Sequence, residues 1–156
     1  AGNPPSALAA GLAEAKARAV ISQTADAIMI GADQVLICDG QLFNKAPDRA
    51  GARSVLRRLS GCCHELHVAV CVLGPGAVVW CHESLARLWM RPLSDDFIDR
   101  YLDQVGGEVL WSVGCYQIEG LGVQLFERIE GDHFTIQGLP LLPLLGYLRR
   151  AGLMPA

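Results

Sequence analysis

Ala27-Ile28-Met29-Ile30-Gly31-Ala32-Asp33-Gln34-Val35-Leu36-Ile37-Cys38, followed by Asp39-Gly40 and then Gln41-Leu42-Phe43, is the stretch that decides the fold. Its first six residues form a short apolar run, partly β-branched, that ends at Gly31-Ala32-Asp33. Such a run reads as a buried strand whose C-terminal end presents Asp33. Val35 to Cys38 continues or resumes the strand. Asp39-Gly40 is a tight-turn dipeptide, so residues 41–43 are expected to return as the second arm of a hairpin.

Helices and strands alternate outward from this stretch. Upstream, residues 6–23 read as a helix with Ser6 as N-cap and Leu8, Leu12, Ala15, Ala19 and Val20 as its apolar stripe. Downstream, Asp48 follows Pro47 and caps a helix over 48–59. Residues 66–73 predict a strand, Gly74-Pro75-Gly76 a turn, 78–82 its partner and 83–90 a further strand. Ser94 caps a helix that carries acids in its first turn and stops at Gly106-Gly107. Residues 123–129 predict a strand. A last helix starts near Pro140 or Leu141, with Arg149 and Arg150 in its final turn. The class is α/β with a mixed, twisted sheet and flanking helices, in a single domain over residues 1–156.

Composition narrows the function classes. A net charge of −3 argues against an extended nucleic-acid surface, which needs clustered Lys and Arg. Gly, Pro or charge breaks every apolar run before it is long enough to span a bilayer, and no signal peptide is recognisable, so the expected setting is cytoplasmic. The opening Ala1-Gly2-Asn3-Pro4-Pro5-Ser6 reads as loop from the interior of a longer chain. None of the six cysteines forms a C-x-x-C pair. Cys62-Cys63-His64 with His67 lacks the second ligand pair a zinc site needs, so the expectation is reduced, mostly buried thiols.

Three residues stand out as candidates to carry chemistry. Asp33, beside a turn at a strand end, stands where α/β sheets place their sites, although an Asp there can also simply cap the turn. Lys45 lies between the hairpin and the next helix, where a lysine can neutralise phosphate oxygens or be an idle surface group. Lys16 is its helical counterpart, and these two are the only lysines in the chain. Glu119, Glu130 and Asp132 are further carboxylates among glycines, the last two reading more simply as turn residues. No G-x-S-x-G or P-loop pattern is present, which removes support for acyl transfer and Walker-type hydrolysis.

Taken together, Leu12-Ala13-Glu14-Ala15-Lys16-Ala17, Ile30-Gly31-Ala32-Asp33-Gln34-Val35-Leu36, Asn44-Lys45-Ala46-Pro47-Asp48, Leu59-Ser60-Gly61 with His64, the 94–101 stretch, Glu119-Gly120-Leu121-Gly122 and the segment from Gly131 to Gly138-Leu139-Pro140-Leu141 resemble the Maf family. The order and spacing agree over nearly the whole chain. The resemblance implies a fold like that of the inosine triphosphate pyrophosphatases, with two lobes flanking a cleft, and a homodimer. It implies hydrolysis of a nucleoside triphosphate to NMP and pyrophosphate with a divalent metal, Mg2+ or Mn2+. By that analogy Asp33 is the essential acidic residue, binding the metal or orienting the attacking water, and Lys16 and Lys45 hold the triphosphate. Gln34, where many members carry Thr, and Glu119 in its Glu-Gly-Leu-Gly setting resemble the branch that prefers 7-methyl-GTP over dTTP and UTP. The family's opening strand and its Ser-x-Ser-Pro-Arg-Arg phosphate loop are not in the sequence, and Ala46 separates Lys45 from Pro47. The rival readings are a nucleotide-binding regulatory protein of septum formation without turnover, and a nucleotide phosphatase releasing orthophosphate.

Overall fold

The computed structural model describes residues 4–20, 27–74 and 77–155. Among these residues the chain is an α/β protein with five helices and one five-stranded sheet in the order β2-β1-β3-β4-β5. The elements are α1 (Pro5–Val20), β1 (Met29–Cys38), β2 (Gln41–Phe43), α2 (Arg49–Leu59), β3 (Cys63–Gly74), β4 (Ala77–Met90), α3 (Asp95–Val105), β5 (Phe126–Glu130), α4 (His133–Ile136) and α5 (Leu141–Arg150), with 3-10 turns at Gly106–Trp111 and Leu121–Leu125. The expected class and most expected elements are present.

The local signals act at their own positions. Asp39 and Gly40 take φ of 50° and 73°, the left-handed pair of a type I′ turn, and β1 and β2 pair antiparallel with Cys38 opposite Gln41. Asp48 caps α2 by accepting from the Gly51 backbone N–H at 2.7 Å, and Ser94 caps α3 through the Phe97 N–H at 3.2 Å.

Four details differ. Residues 83–90 are not a separate strand: β4 runs unbroken over Ala77–Met90, because no Gly or Pro interrupts it. The strand foreseen over 123–129 begins only at Phe126, after a 3-10 turn in which Gly122 lies against Gln117; a side chain there would meet the Gln117 N at 2.7 Å, a compactness that extended backbone does not allow. Helix α1 starts at Pro5, so Ser6 is inside the first turn, and the foreseen end of the helix near Gln23 lies outside the described residues. Its buried stripe is Ala9, Ala13 and Ala17, whereas Leu12 and Val20 are exposed. The cause is close packing: a Cβ added at Gly31 of β1 would lie 2.8 Å from the Ala17 N, 2.9 Å from the Ala17 Cβ and against the Ala13 carbonyl oxygen. Only alanines on the helix and glycine on the strand permit that approach.

The chain divides into two compact units. The first comprises Ala1–Gln34, His67–Leu85 and Asp132–Ala156. Its core joins Val70, Val72 and Leu144 with Ala32, Leu139, Leu148 and the Trp80 ring, which stacks on Tyr147 at 4.8 Å between centroids. Within this unit Cys71 and Cys81 form a disulfide, which corrects the expectation that all six cysteines are thiols. The expectation rested on absent C-x-x-C spacing, and spacing is blind to a bridge between neighbouring strands.

The second unit comprises Val35–Leu66 and Ala86–Gly131. It buries Leu36, Leu56, Leu59, Leu88, Ile98 and Leu125 completely. Helices α2 and α3 are laced by charge: Arg49 bonds Asp103 at 2.7 Å, Arg53 bonds Asp99 at 2.9 Å and Arg57 bonds Asp95 at 3.0 Å. Both sets repeat every four residues, so one face of each helix carries a single sign.

Candidate active site

Asp33 lies within β1, four residues after its start and five before its end. This corrects its expected place at a strand end: the apolar run and Val35-Leu36-Ile37-Cys38 are one continuous strand, since nothing between them breaks extended backbone. Gly31, two residues earlier, brings β1 against α1, and Lys16 on that helix forms an ion pair with Asp33. The pair is asymmetric. The Lys16 side chain is 60% exposed and that of Asp33 only 14%. The carboxylate is therefore fixed in the protein, and the ammonium on its flexible stem is free to exchange its partner for another anion.

Gln34, the next residue, is also committed. Its amide nitrogen donates to the backbone carbonyls of Ile136 at 3.0 Å and Thr135 at 3.3 Å. Both amide hydrogens are then engaged, and the carbonyl Oε1 is the polar atom of this side chain outside those two bonds. The acceptors belong to α4, a single turn held by Asp132, whose carboxylate accepts from the Thr135 N–H at 2.8 Å and from the Thr135 hydroxyl at 3.1 Å. The turn reading of Asp132 is thus realised as an N-cap. The sequence signal for α4 is present in Asp132-x-x-Thr135, but a four-residue helix is too short for periodicity to reveal.

Lys16, Asp33 and Gln34 belong to the first unit, and Lys45 and Glu119 to the second, where both are exposed. Lys45 sits between β2 and α2, as foreseen.

The sequence marks His64 but not its partner, Tyr116, within the second unit. His64 on β3 is 1% exposed, and its Nε2 shares a hydrogen bond of 2.7 Å with the Tyr116 hydroxyl. Its Nδ1 has no hydrogen-bond partner among the described residues. Tyr116 and Phe126 pack on the imidazole at 5.7 Å and 5.9 Å between centroids. Burial in this apolar cage lowers the His64 pKa to about 4, so the ring is neutral at pH 7.

Which of these groups can hold metal differs by softness. Among the described residues one cluster of three donors occurs, Cys38, Asp39 and Cys62, and Asp33 is not part of it. Asp33 offers a single carboxylate. That suits a hard ion such as Mg2+, which is held by one or two carboxylates, substrate phosphates and water. Among the described residues no helix is long and apolar enough to cross a membrane.

Comparison with known proteins agrees with the motif reading. The family model described as Maf-like protein matches residues 1–151. A protein of Nitrobacter hamburgensis named nucleoside triphosphate pyrophosphatase is 53% identical over 147 residues, covering 94% of this chain and 73% of the relative. A 7-methyl-GTP pyrophosphatase of Rhizobium etli is 51% identical over 152 residues, covering 97% and 76%. A second 7-methyl-GTP pyrophosphatase, from Rhizobium meliloti, is 50% identical over 155 residues, covering 99% and 78%. The enzyme class expected from the sequence is the class these relatives are named for, and the chain belongs to the Maf family.

Proposed function

We propose that the chain is a hydrolase that splits a nucleoside triphosphate into NMP and pyrophosphate, with Asp33 as its catalytic carboxylate and Lys16 and Lys45 on the triphosphate. The supporting observation is the Lys16–Asp33 ion pair, built between two of the stretches that carry the family resemblance. A fixed carboxylate beside a mobile cation is what attack at an α-phosphorus needs. Asp33 orients the attacking water and accepts its proton as the new P–O bond forms and the bond to the α–β bridging oxygen breaks. Lys16 turns from Asp33 to the phosphate chain and, with Lys45, offsets the charge that gathers on the departing pyrophosphate.

A divalent cation, Mg2+ or Mn2+, would be held by Asp33 and substrate phosphate oxygens. When bound it supplies charge neutralisation and polarisation of the phosphate. Glu119 accepts hydrogen bonds from the base. Gln34 contributes Oε1 as a second acceptor, since its amide hydrogens are spent on α4. Acceptors suit the N–H-bearing edge of guanine, which favours 7-methyl-GTP over dTTP and UTP. The same reading makes the enzyme cytoplasmic and a homodimer, and light scattering on the purified protein tests the dimer directly.

Pyrophosphate release from 7-methyl-GTP, GTP, dTTP and UTP by the full-length protein tests the activity. Asp33→Asn is expected to reduce turnover by about 10²–10⁴-fold, the usual range for removing a general base. Orthophosphate as the product, or full activity after the Asp33→Asn substitution, overturns the assignment. Nucleotide binding without any product would instead favour a regulatory module.

A further inference from the structure

Cys38, Asp39 and Cys62 converge although nothing in their spacing links them. Their ligand atoms all lie within 4.8 Å of one another. Cys38 ends β1, and Asp39 opens the left-handed turn into β2. Cys62 comes from the other side, as the last residue of the short connection Ser60-Gly61-Cys62 that leads from α2 into β3.

Both segments are held independently of the thiols. The turn is fixed by the β1–β2 ladder. Cys62 is fixed on both sides of its backbone, with its N–H donating to the Leu59 carbonyl at 3.0 Å and its carbonyl accepting from the Met90 N–H at 3.0 Å. The donors are therefore placed before any ligand arrives, which lowers the ordering cost of binding.

The neighbouring thiol is excluded from the cluster. Cys63 begins β3, where it feels the charges of Glu65, Arg87, Glu130 and Arg128. Cys62 still belongs to the connection while Cys63 opens the strand, and the Cys63 sulfur is not among the three donors that meet within 4.8 Å. That explains why the Cys62-Cys63-His64 run fails as a metal motif while Cys62 still finds a partner.

Each thiol also makes a weak contact with a backbone carbonyl. Cys38 Sγ reaches the Cys63 carbonyl and Cys62 Sγ the Ser60 carbonyl, each at 3.6 Å. Cys38 is buried, but Asp39 is exposed and Cys62 half-buried, which leaves an approach from solvent.

We propose that Cys38, Cys62 and Asp39 form a site for a soft divalent cation of the Zn2+ type, separate from the hard-metal chemistry at Asp33. Two thiolates and one carboxylate, with water as the fourth ligand, make a tetrahedral set that suits Zn2+ and is wrong for Mg2+. Binding releases the two thiol protons, with no change of oxidation state. The cation would clamp the β1–β2 turn to the α2–β3 connection, and β2 leads directly to Lys45.

Cd2+ is the probe, because thiolate-to-cadmium charge transfer gives an ultraviolet absorption band. The full chain is titrated without reductant, so that Cys71–Cys81 stays closed. The expected result is a band saturating at one Cd2+ per chain, accompanied by a higher melting temperature. Cys62→Ser and Cys38→Ser lose both responses, and Cys63→Ser keeps them. Circular dichroism verifies that each variant is folded; Cys62, the more exposed of the pair, gives the variant least exposed to misfolding. A silent titration of the parent chain, whether from a Cys38–Cys62 disulfide or from plain lack of affinity, overturns the proposal. So does a band that survives in both the Cys38 and Cys62 variants, or one lost in the Cys63 variant. None of these results bears on pyrophosphate release.

Discussion

Gly31→Ala is the sharpest perturbation of the candidate site, because it touches none of the proposed reacting groups. The new Cβ would lie 2.8 Å from the Ala17 N and 2.9 Å from the Ala17 Cβ, and press on the Ala13 carbonyl. Ordinary non-bonded contact is about 3.5–4.0 Å, so α1 has to withdraw from β1 by roughly 1 Å. Overpacking of this kind costs about 1–3 kcal/mol. The stiffer unfolded chain of an alanine variant returns about 0.4–1 kcal/mol. With a urea m-value of about 2 kcal/mol/M, the middle of these ranges moves the denaturation midpoint down by roughly 0.6 M, and their upper end by about 1.3 M. The functional effect is larger in proportion. Lys16 rides on α1 and Asp33 on β1, so the same shift of roughly 1 Å separates the paired groups, and misplacement on that scale can cost about a hundredfold in kcat/KM. Urea unfolding and steady-state pyrophosphate release check both numbers. Gly11→Ala is the control: it lies on the same helix with nothing within 4 Å of the added Cβ, and is expected to stabilise by about 0.5–1 kcal/mol without touching activity. An unchanged midpoint and unchanged kcat/KM for Gly31→Ala would refute the claim that this close approach builds the site.

Three further outcomes are expected. His64 is held neutral, with its pKa lowered to about 4 against an ordinary 6.5, so the unfolded chain binds more protons between those values. Its contribution is intact above pH 6.5 and falls by up to about 3 kcal/mol as pH drops to 4; His64→Asn should flatten that part of the stability–pH curve, and an NMR titration of His64 near 6.5 would contradict it. The Arg53 guanidinium, hydrogen-bonded to Asp99, holds that carboxyl below its usual range, so Arg53→Ala should lower the melting temperature at pH 7 and low salt, with the difference shrinking in high salt. A salt-independent difference would mean the arginine stem, and not its charge, packs the helices. Gln34→Ala frees the Thr135 and Ile136 carbonyls and removes the acceptor proposed for the base; the ratio of kcat/KM for 7-methyl-GTP over dTTP is expected to fall, and a fall equal for both nucleotides would make Gln34 purely a support for α4.

What is legible in the sequence, and what is not, divides by range. Asp39-Gly40, Asp48 and Ser94 act on backbone within three residues of themselves, so their turn and caps can be read without knowing the fold. The buried face of α1 cannot. Leucine normally marks the inward face of a helix, and here alanine does, because the partner is a glycine on a strand that follows later in the chain. The same limit hides the surroundings of Gln34, whose acceptors lie 101 and 102 residues away, and the meeting of Cys38 with Cys62. Asp33 shows both halves at once. Its candidacy is readable from a lone carboxylate following an apolar run, yet its place is not, since the run and the residues beyond it each look like half a strand. What makes Asp33 more than a strand residue is Lys16, and that pairing exists because Gly31 lets α1 approach. The motif of the family is therefore physical at this point: Ala13, Ala17 and Gly31 are the small residues that allow the contact, and Lys16 and Asp33 are the charges the contact brings together.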